Sequence, residues 1–597
     1  NLVATDQMID TPTNNFCTAN PLFPGRSTDD VTYTEGNLKL TWSGSNNTTA
    51  AVGTIQVEGK VYFETLCKSQ GSAGNDAMGL ARSDKQDGDL TAPWKATTFM
   101  YGADAEYHNG TTQTTADSSY TTGDIISCAY DADTGKIWFA KNGTWLDSGD
   151  PAAGTDENFT IAAADRGLLV PAFIGYKGNG DTVWILNAGS DSSFAAEKTA
   201  QGNQDGNGKG DFYYEPPTDF LALCTSNLSD PEIALPGEYF NSVLYTGDDS
   251  TDRSITGVGF QPDFVAIKAR SVGDSHADFD SVRGRGVLHF NATNIENTTT
   301  GPLMFDSYDS DGFTISYDVS ADLTNRNSQT YVAWNWLAGG APTADNSAGA
   351  GATPTAGSVK IDGSNLGSAL AGTIAATRLS ANTTSGFSIV EWTGTGTAST
   401  VAHGLSTAPT VVIVKNTGGP TSAANEWAVY SEPVGNTKAL LLDDTSAPLT
   451  SPNFWNDATP TASVFSVYQS TTTNDSGEFY IAYCFSNIEG YSKVGSYTGN
   501  ASADGAFVYT GFRPAFLLAK NVASGKPWVM YDDKRDTYNE MYKQLVANDN
   551  AAADTSEGRL DFVSNGIKWI IGDSYHNDGS FIYIAFASNP FKTSNAR

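Results

Sequence analysis

Apolar and polar side chains alternate in short runs along most of this chain, bounded by clusters of Gly, Asn, Asp and Thr. Ile55-Gln-Val57, Lys136-Ile-Trp-Phe139, Thr182-Val-Trp-Ile-Leu186, Phe264-Val-Ala-Ile267, Thr410-Val-Val-Ile-Val414 and Phe581-Ile-Tyr-Ile-Ala-Phe586 are typical. A period of two places successive side chains on opposite faces of a strand, so these runs predict an all-β chain of antiparallel sandwiches. One stretch competes. Tyr538, Met541, Tyr542, Leu545 and Val546 have the i, i+3, i+4, i+7, i+8 spacing of a short surface helix.

The pattern repeats at long range. Tyr245-Thr-Gly247, Trp392-Thr-Gly394 and Tyr497-Thr-Gly499 each precede a proline-led apolar strand, beginning at Pro262, Pro409 and Pro514. The proline follows the aromatic by 17 residues in all three copies. Each copy ends on an aromatic strand, Tyr331-Val-Ala-Trp334, Tyr480-Ile-Ala-Tyr483 or Tyr583-Ile-Ala-Phe586, starting 69, 71 and 69 residues after the proline. Near-constant spacing of two landmarks predicts three homologous β-sandwich repeats. Proline suits the start of a strand, where its missing N–H leaves no ladder bond unmade. The closing strand is expected to set its large rings on one face, with Ala where elements approach closely.

These landmarks divide the chain into an N-terminal segment over 1–39, a first sandwich with a C-terminal bridge over 40–225, repeats over 226–338, 384–487 and 488–597, and a connector over 339–383. Ala, Gly, Ser and Thr dominate the connector, a composition that reads as flexible or extended; Ser358-Val-Lys-Ile361 offers an edge strand instead. Repeats two and three almost touch and are expected to form a rigid tandem. A row of independently folded domains follows from this division.

Composition narrows the function. Only 17% of residues are charged, and 67 acidic against 34 basic residues give a net charge of −33. Nucleic-acid binding needs a basic surface to neutralise phosphates, which excludes that partner class. The five cysteines, Cys17, Cys67, Cys128, Cys224 and Cys484, are too scattered for a disulfide framework and read as small buried hydrophobes. No run approaches the roughly 18 apolar residues of a membrane helix. Asn1 opens the chain without a signal-peptide pattern, so a processed product or part of something longer is expected.

Residues from about 40 to 190 resemble a SPRY domain, a concanavalin-like sandwich used for protein recognition. The carriers are Gly59-Lys-Val-Tyr-Phe-Glu64, Met78-Gly-Leu-Ala81, the run from Gly123 through Asp131-Ala-Asp-Thr-Gly135 and Ile137-Trp-Phe139 to Lys141-Asn-Gly143, then Leu169-Val-Pro-Ala-Phe173 and Asn187-Ala-Gly189. Asp133-Thr-Gly135 and Asn142-Gly143 are hairpin turns in their own right. The whole arrangement resembles tail-fibre-like structural proteins of marine bacteriophages, carried by Asp10-Thr-Pro-Thr-Asn-Asn-Phe16, the bridge from Phe212-Tyr-Tyr-Glu-Pro-Pro to Cys224, and Phe581 to Phe591. That resemblance implies a virion surface, other virion proteins as neighbours and a host receptor or glycan as partner. A homo-oligomer is expected, with a trimer the best match to such fibres.

Catalytic chemistry finds no motif. His108, His276, His289, His403 and His576 have no metal-ligand spacing. Neither a nucleophile elbow nor a phosphate loop occurs. Asp205-Gly-Asn-Gly-Lys-Gly-Asp211 looks like a calcium loop, but Lys209 and Pro216 stand where ligands belong. Asp306, Asp309 and Asp311 fit a turn before Phe313-Thr-Ile-Ser-Tyr317 as well as a cation site. The expectation is a non-enzyme with no cofactor, no catalytic, cofactor-binding or metal residue, no membrane insertion, and binding loops that the residues alone do not single out. The rival readings are a bacterial extracellular adhesin or glycan-binding protein and a capsule-degrading tailspike.

Overall fold

A computed structural model describes residues 11, 14–23, 31–43, 48–71, 75–85, 92–176, 180–319, 322–421 and 424–593. Of the N-terminal motif, Asp10, Pro12 and Thr13 lie outside these residues. The protein is all-β, and its sheets are built from antiparallel ladders apart from short parallel pairings at Leu221–Ala222 and Val359–Ile361. It forms two compact units: Asn1–Asp230 with Asp504–Tyr509, and Pro231–Ala503 with Thr510–Arg597.

The first unit is the SPRY-like sandwich. One sheet runs Val31–Thr34, Lys39–Trp42, Thr182–Asn187, Lys60–Ser69, Ile125–Asp131, Lys136–Lys141, Thr144–Trp145. The other runs Thr49–Val52, Leu169–Gly175, Ala77–Arg82, Thr98–Gly102, Glu106–Asn109, Thr112–Thr115. Strand Lys60–Ser69 is buried almost throughout, because both its faces are covered. On one face Phe63 joins Cys128 and Phe139 in register, and the Phe139 ring meets Tyr101 and Tyr107 of the other sheet. On the opposite face Tyr62, Ala129 and Trp138 pack with Phe16, Phe212, Phe220 and Cys224. The bridge is therefore a cover for the sheet, and Leu221–Ala222 adds to Lys60–Ser69 as a short parallel strand. The segment over 1–39 enters the same sandwich, through Val31–Thr34 and through Phe16 beside Cys224.

In the second unit each repeat builds one sheet in one strand order: opening strand, closing strand, proline-led strand, following strand. These are Phe240–Thr246, Thr330–Trp336, Phe264–Ala269 and Ala277–Asp280 in repeat 1. Repeat 2 uses Phe387–Thr393, Phe479–Phe485, Val411–Gly418 and Ala428–Ser431. Repeat 3 uses Ser492–Thr498, Ser580–Pro590, Phe512–Asn521 and Trp528–Asp532. Pro262 and Pro409 stand just before their strands, whereas Pro514 lies inside its strand at a bulge, where an unmade ladder bond is tolerated.

Pairing register corrects the third landmark. Tyr331 faces Tyr245 and Tyr480 faces Trp392, but Tyr497 faces Phe581 rather than Tyr583. The Tyr-Ile-Ala run of repeat 3 is displaced by two residues, a shift that keeps every side chain on its original face and so leaves the apolar pattern intact. Nor do the closing rings share a face. Tyr331 packs in the outer core of repeat 1 and Trp334 in the inner one, as an offset of three residues along a strand requires.

Alternation distributes each repeat's sheet between two cores. Val265, Ile267, Tyr331 and Ala333 of repeat 1 face its second sheet, the three strands Arg253–Thr256, Gly312–Ile315 and Phe305–Asp309. Phe264, Ala266, Trp334 and Trp336 enter a core that also takes Phe387, Ile413, Tyr483 and Phe485 from repeat 2 and Phe516, Leu518, Ile584 and Phe586 from repeat 3. The repeats are thus not independent domains but three parts of one body. The segment over 339–383 is not a free connector either. Ala376–Asn382 pairs with the opening strand of repeat 2, and Val359–Ile361 extends that sheet further. Its small residues are strand and turn residues, which composition does not distinguish from linker.

The predicted helix is absent. Leu545–Val546 is a strand paired to Val529 and Met530, and residues 533–544 form a loop. Tertiary hydrogen bonds, given below, override the local periodicity.

Candidate functional site

The SPRY-motif residues do structural work. The buried Glu64 carboxylate accepts hydrogen bonds from Tyr62 Oη (2.9 Å), Tyr214 N (2.7 Å) and Tyr213 N (2.8 Å), pinning the bridge to the sheet. Burial pushes this carboxyl up to about 7 despite those bonds. Asp131 and Gly135 (φ 78°) close the hairpin turn, and Trp138 Nε1 donates to Thr155 O at 2.9 Å.

Each cation candidate weighed from sequence is occupied by its own backbone or by neighbouring side chains. Asp205 accepts from Asn207 N, Lys209 N, Ala222 N and Asn227 Nδ2, which uses both carboxylate oxygens. Asp309 holds Ser307 and Thr314 across its hairpin, Asp306 accepts from Ser316, and Asp311 accepts from Gly257 N and Gly259 N. The five cysteines are free and buried. Four of the five histidines are buried, and His289 is half-buried. His576 is held by Asp573 at Nδ1 (2.6 Å) and by Tyr531 and Gln544 at Nε2 (2.9 Å each). His403 bridges Thr461 O and Leu405 N.

The repeats close on one another in a ring. Lys268, Lys415 and Lys520 lie in the C-terminal halves of the three proline-led strands, and each is wholly buried. Lys268 Nζ donates to Asn550 O of repeat 3 (3.2 Å), Lys415 Nζ to Thr293 O of repeat 1 (2.7 Å), and Lys520 Nζ to Thr445 O of repeat 2 (2.8 Å). Burial pushes each ammonium down to about 8. Beside them His276 Nε2 meets Val546 O, while Trp427 Nε1 donates to His289 O and Trp528 Nε1 to Leu441 O, in the same cyclic sense.

A second set of contacts runs nearer the centre. Tyr483 Oη donates to Asp280 (2.8 Å), which also holds Arg283, and Trp334 Nε1 donates to Asp532 (3.0 Å), which also holds Arg535. At the third junction the register puts Ile584 and Ser431 in the corresponding places, so the polar pair is lost from both sides together. The rings leave a cavity of about 50 Å³ among Phe264, Trp336, Phe485, Phe516 and Phe586. Its lining is apolar, and such a space stays dry.

The loop over 533–544 presents itself outward. Tyr538 is 78% exposed and Tyr542 is 41% exposed, in a chain whose other aromatics are mostly buried. The backbone beneath them is tightly held. Tyr542 N and Lys543 N donate to Asp536 Oδ2, Arg535 Nη1 donates to Lys543 O, and Met541 N donates to Leu560 O. Asn539 clamps Phe562 in both directions, its Nδ2 donating to Phe562 O and its Oδ1 accepting from Phe562 N (3.0 Å each). Tyr542 Oη donates to Glu540 (3.1 Å), and that carboxylate raises the phenol. Asp561 is raised by burial and then by Glu540. Exposed rings on a pre-ordered loop, flanked by carboxylates, form a surface that stacks on apolar faces and accepts hydrogen bonds from hydroxyls at low ordering cost. Sequence periodicity found these tyrosines but assigned them to a helix; only the long-range bonds reveal the loop.

Two known families match parts of the chain. The SPRY domain family matches residues 60–185. Among solved structures, the SPRY domain of human HERC1 aligns at 21% identity and a TM-score of 0.21, over 26% of this chain and 91% of that one. A human SPRY domain aligns at 19% and 0.21, over 26% and 94%. Stonustoxin aligns at 16% and 0.22, over 29% and 27%. No curated protein matches the chain. A domain of unknown function, DUF7483, matches residues 235–363 and 356–590, together more than half of the chain and all three repeats, and the chain belongs to that family.

Proposed function

We propose that this chain is a virion structural protein of a bacteriophage, tail-fibre-like or capsid-decorating, that attaches the particle to a host-surface receptor or glycan, and that it is not an enzyme. The observation that carries the reading is the tyrosine loop of repeat 3, where Tyr538 and Tyr542 stand exposed on a backbone fixed by Asp536, Asn539 and Arg535. Sugar rings offer apolar faces for tyrosine stacking and hydroxyls for Glu540. The strongly acidic chain suits a soluble surface protein. The SPRY-like sandwich adds a second recognition module, and the resemblance to phage fibres supplies the setting and the expectation of a trimer.

Two experiments test this. Mass spectrometry and immunogold labelling of purified particles are expected to find the chain on the virion; its absence there, with a bacterial cell-surface location, favours the adhesin reading. On immobilised host-envelope polysaccharide the Tyr538→Ala/Tyr542→Ala variant is expected to bind at least about tenfold more weakly, the loss of one to two stacked rings, with thermal stability unchanged. Equal binding removes the loop from the proposal, and release of reducing sugar ends on wild-type treatment overturns the non-enzyme reading. Light scattering is expected to give a trimer of full-length chains.

A further inference from the structure

In the SPRY-like sandwich, strand Glu106–Asn109 pairs with Thr98–Gly102 on one side and Thr112–Thr115 on the other. Alternation sends Tyr107 inward, where its ring stacks on Phe139. Glu106 and His108 therefore share the other face, and Asp104 lies in the turn that leads into the strand. One donor atom from each of Asp104, Glu106 and His108 lies within 4.8 Å of the other two.

The imidazole singles this cluster out among many acidic groups. His108 is only 1% exposed, and among the described residues its Nε2 makes no hydrogen bond. Nδ1 lies 3.4 Å from the Gln113 side-chain amide. With the amide oxygen turned to accept from Nδ1–H, the Nε2 lone pair is free, which is how an outer residue fixes a ligating histidine. The backbone leaves room at that spot. A Cβ at Gly102 would come within 2.5 Å of Asp104 Oδ1 and 3.2 Å of His108 Nε2, so the missing side chain clears the space between the two donors.

We propose that Asp104, Glu106 and His108 bind a divalent transition-metal ion of the zinc class. One imidazole with two carboxylates suits Zn²⁺, whereas Ca²⁺ and Mg²⁺ prefer sites built of oxygen alone. Asp104 is exposed and Glu106 half-buried, so both can close on an ion that the buried imidazole holds in place. Three protein donors leave a fourth tetrahedral position to water or to a donor from outside. This site is independent of the tyrosine loop and of the attachment reading.

The test is Zn²⁺ titration of the chelator-treated full chain against a chromophoric indicator, with Co²⁺ absorption reporting the ligand field. One equivalent of Zn²⁺ is expected to bind, with Ca²⁺ at least about tenfold weaker. Asp104→Asn, at an exposed position that leaves the fold untouched, is expected to weaken Zn²⁺ at least about tenfold. Gly102→Ala is expected to do the same while every ligand remains, with both variants melting as the wild type does. Absence of stoichiometric Zn²⁺ binding, equal affinity in both variants, or preference for Ca²⁺ overturns the proposal.

Discussion

Glu64 shows how a residue can carry a family pattern without touching a ligand. Its carboxylate is buried, joined to two backbone N–H groups of the bridge and raised to about 7 by that burial. A folded-state value above the unfolded 4.5 means that the native state binds the extra proton between those values. Its contribution to stability is therefore full below pH 4.5 and is lost as pH rises through 7. Glu64→Gln removes the titration and one of the acceptors, at a cost of about 1–3 kcal/mol. Urea denaturation at pH 5 and pH 7.5 checks this: the wild-type advantage over the variant is expected to be larger at pH 5. An advantage that is constant or grows with pH would show that the bonds from Tyr213 and Tyr214 outweigh burial. The residue itself was visible in the Gly59 to Glu64 run; its role was not, because the donors come from residues 213 and 214, far along the chain.

At the scale of elements, strand runs were legible because both faces of the central strands are buried and leave long apolar stretches. What failed were readings that needed tertiary partners. Tyr538 to Val546 has helical spacing, but Asp536 and Asn539 spend their side chains on holding a loop. Residues 339–383 have linker composition, yet Ala376–Asn382 finds a strand to pair with. The displaced Tyr-Ile-Ala run of repeat 3 has a packing cause. Ala333 and Ala482 face Val243 and Val390 across the ladder, while Tyr583 faces Gly495, so small-against-medium has become large-against-nothing. A Cβ at Gly495 would lie 2.6 Å from Tyr583 Oη and 2.8 Å from its ring carbons. Gly495→Val is expected to destabilise the second unit by about 1–3 kcal/mol through overpacking. Adding Tyr583→Ala restores the pairing used by the other two repeats and is expected to recover most of that loss. A double-mutant cycle with no coupling between the two sites would refute the exchange.

For the whole molecule, the internal repeat was readable from spacing alone, but the ring it forms was not, because a repeat's own sequence does not say whether its inner face meets a partner chain or its sibling. The inner residues of all three copies share one core, and each buried lysine donates to a carbonyl of a different repeat. A single repeat taken out of the ring would expose Phe387, Ile389, Ile413, Tyr483 and Phe485 in the case of repeat 2. The three repeats are therefore expected to unfold in one calorimetric transition, and residues 356–487 expressed alone to lack cooperative melting and to bind a hydrophobic dye. The lysines add a pH signature. Their folded values, about 8, lie below the unfolded 10.5, so the native state releases protons first and stability rises as pH goes from 8 toward 10.5. Lys415→Met removes one third of that gain, and the transition of the variant is expected to climb less between pH 7.5 and pH 9.5 than that of the wild type. Three resolved transitions, or a cooperatively folded isolated repeat 2, would mean that the shared core is an accident of contact rather than the interaction that holds the repeats together.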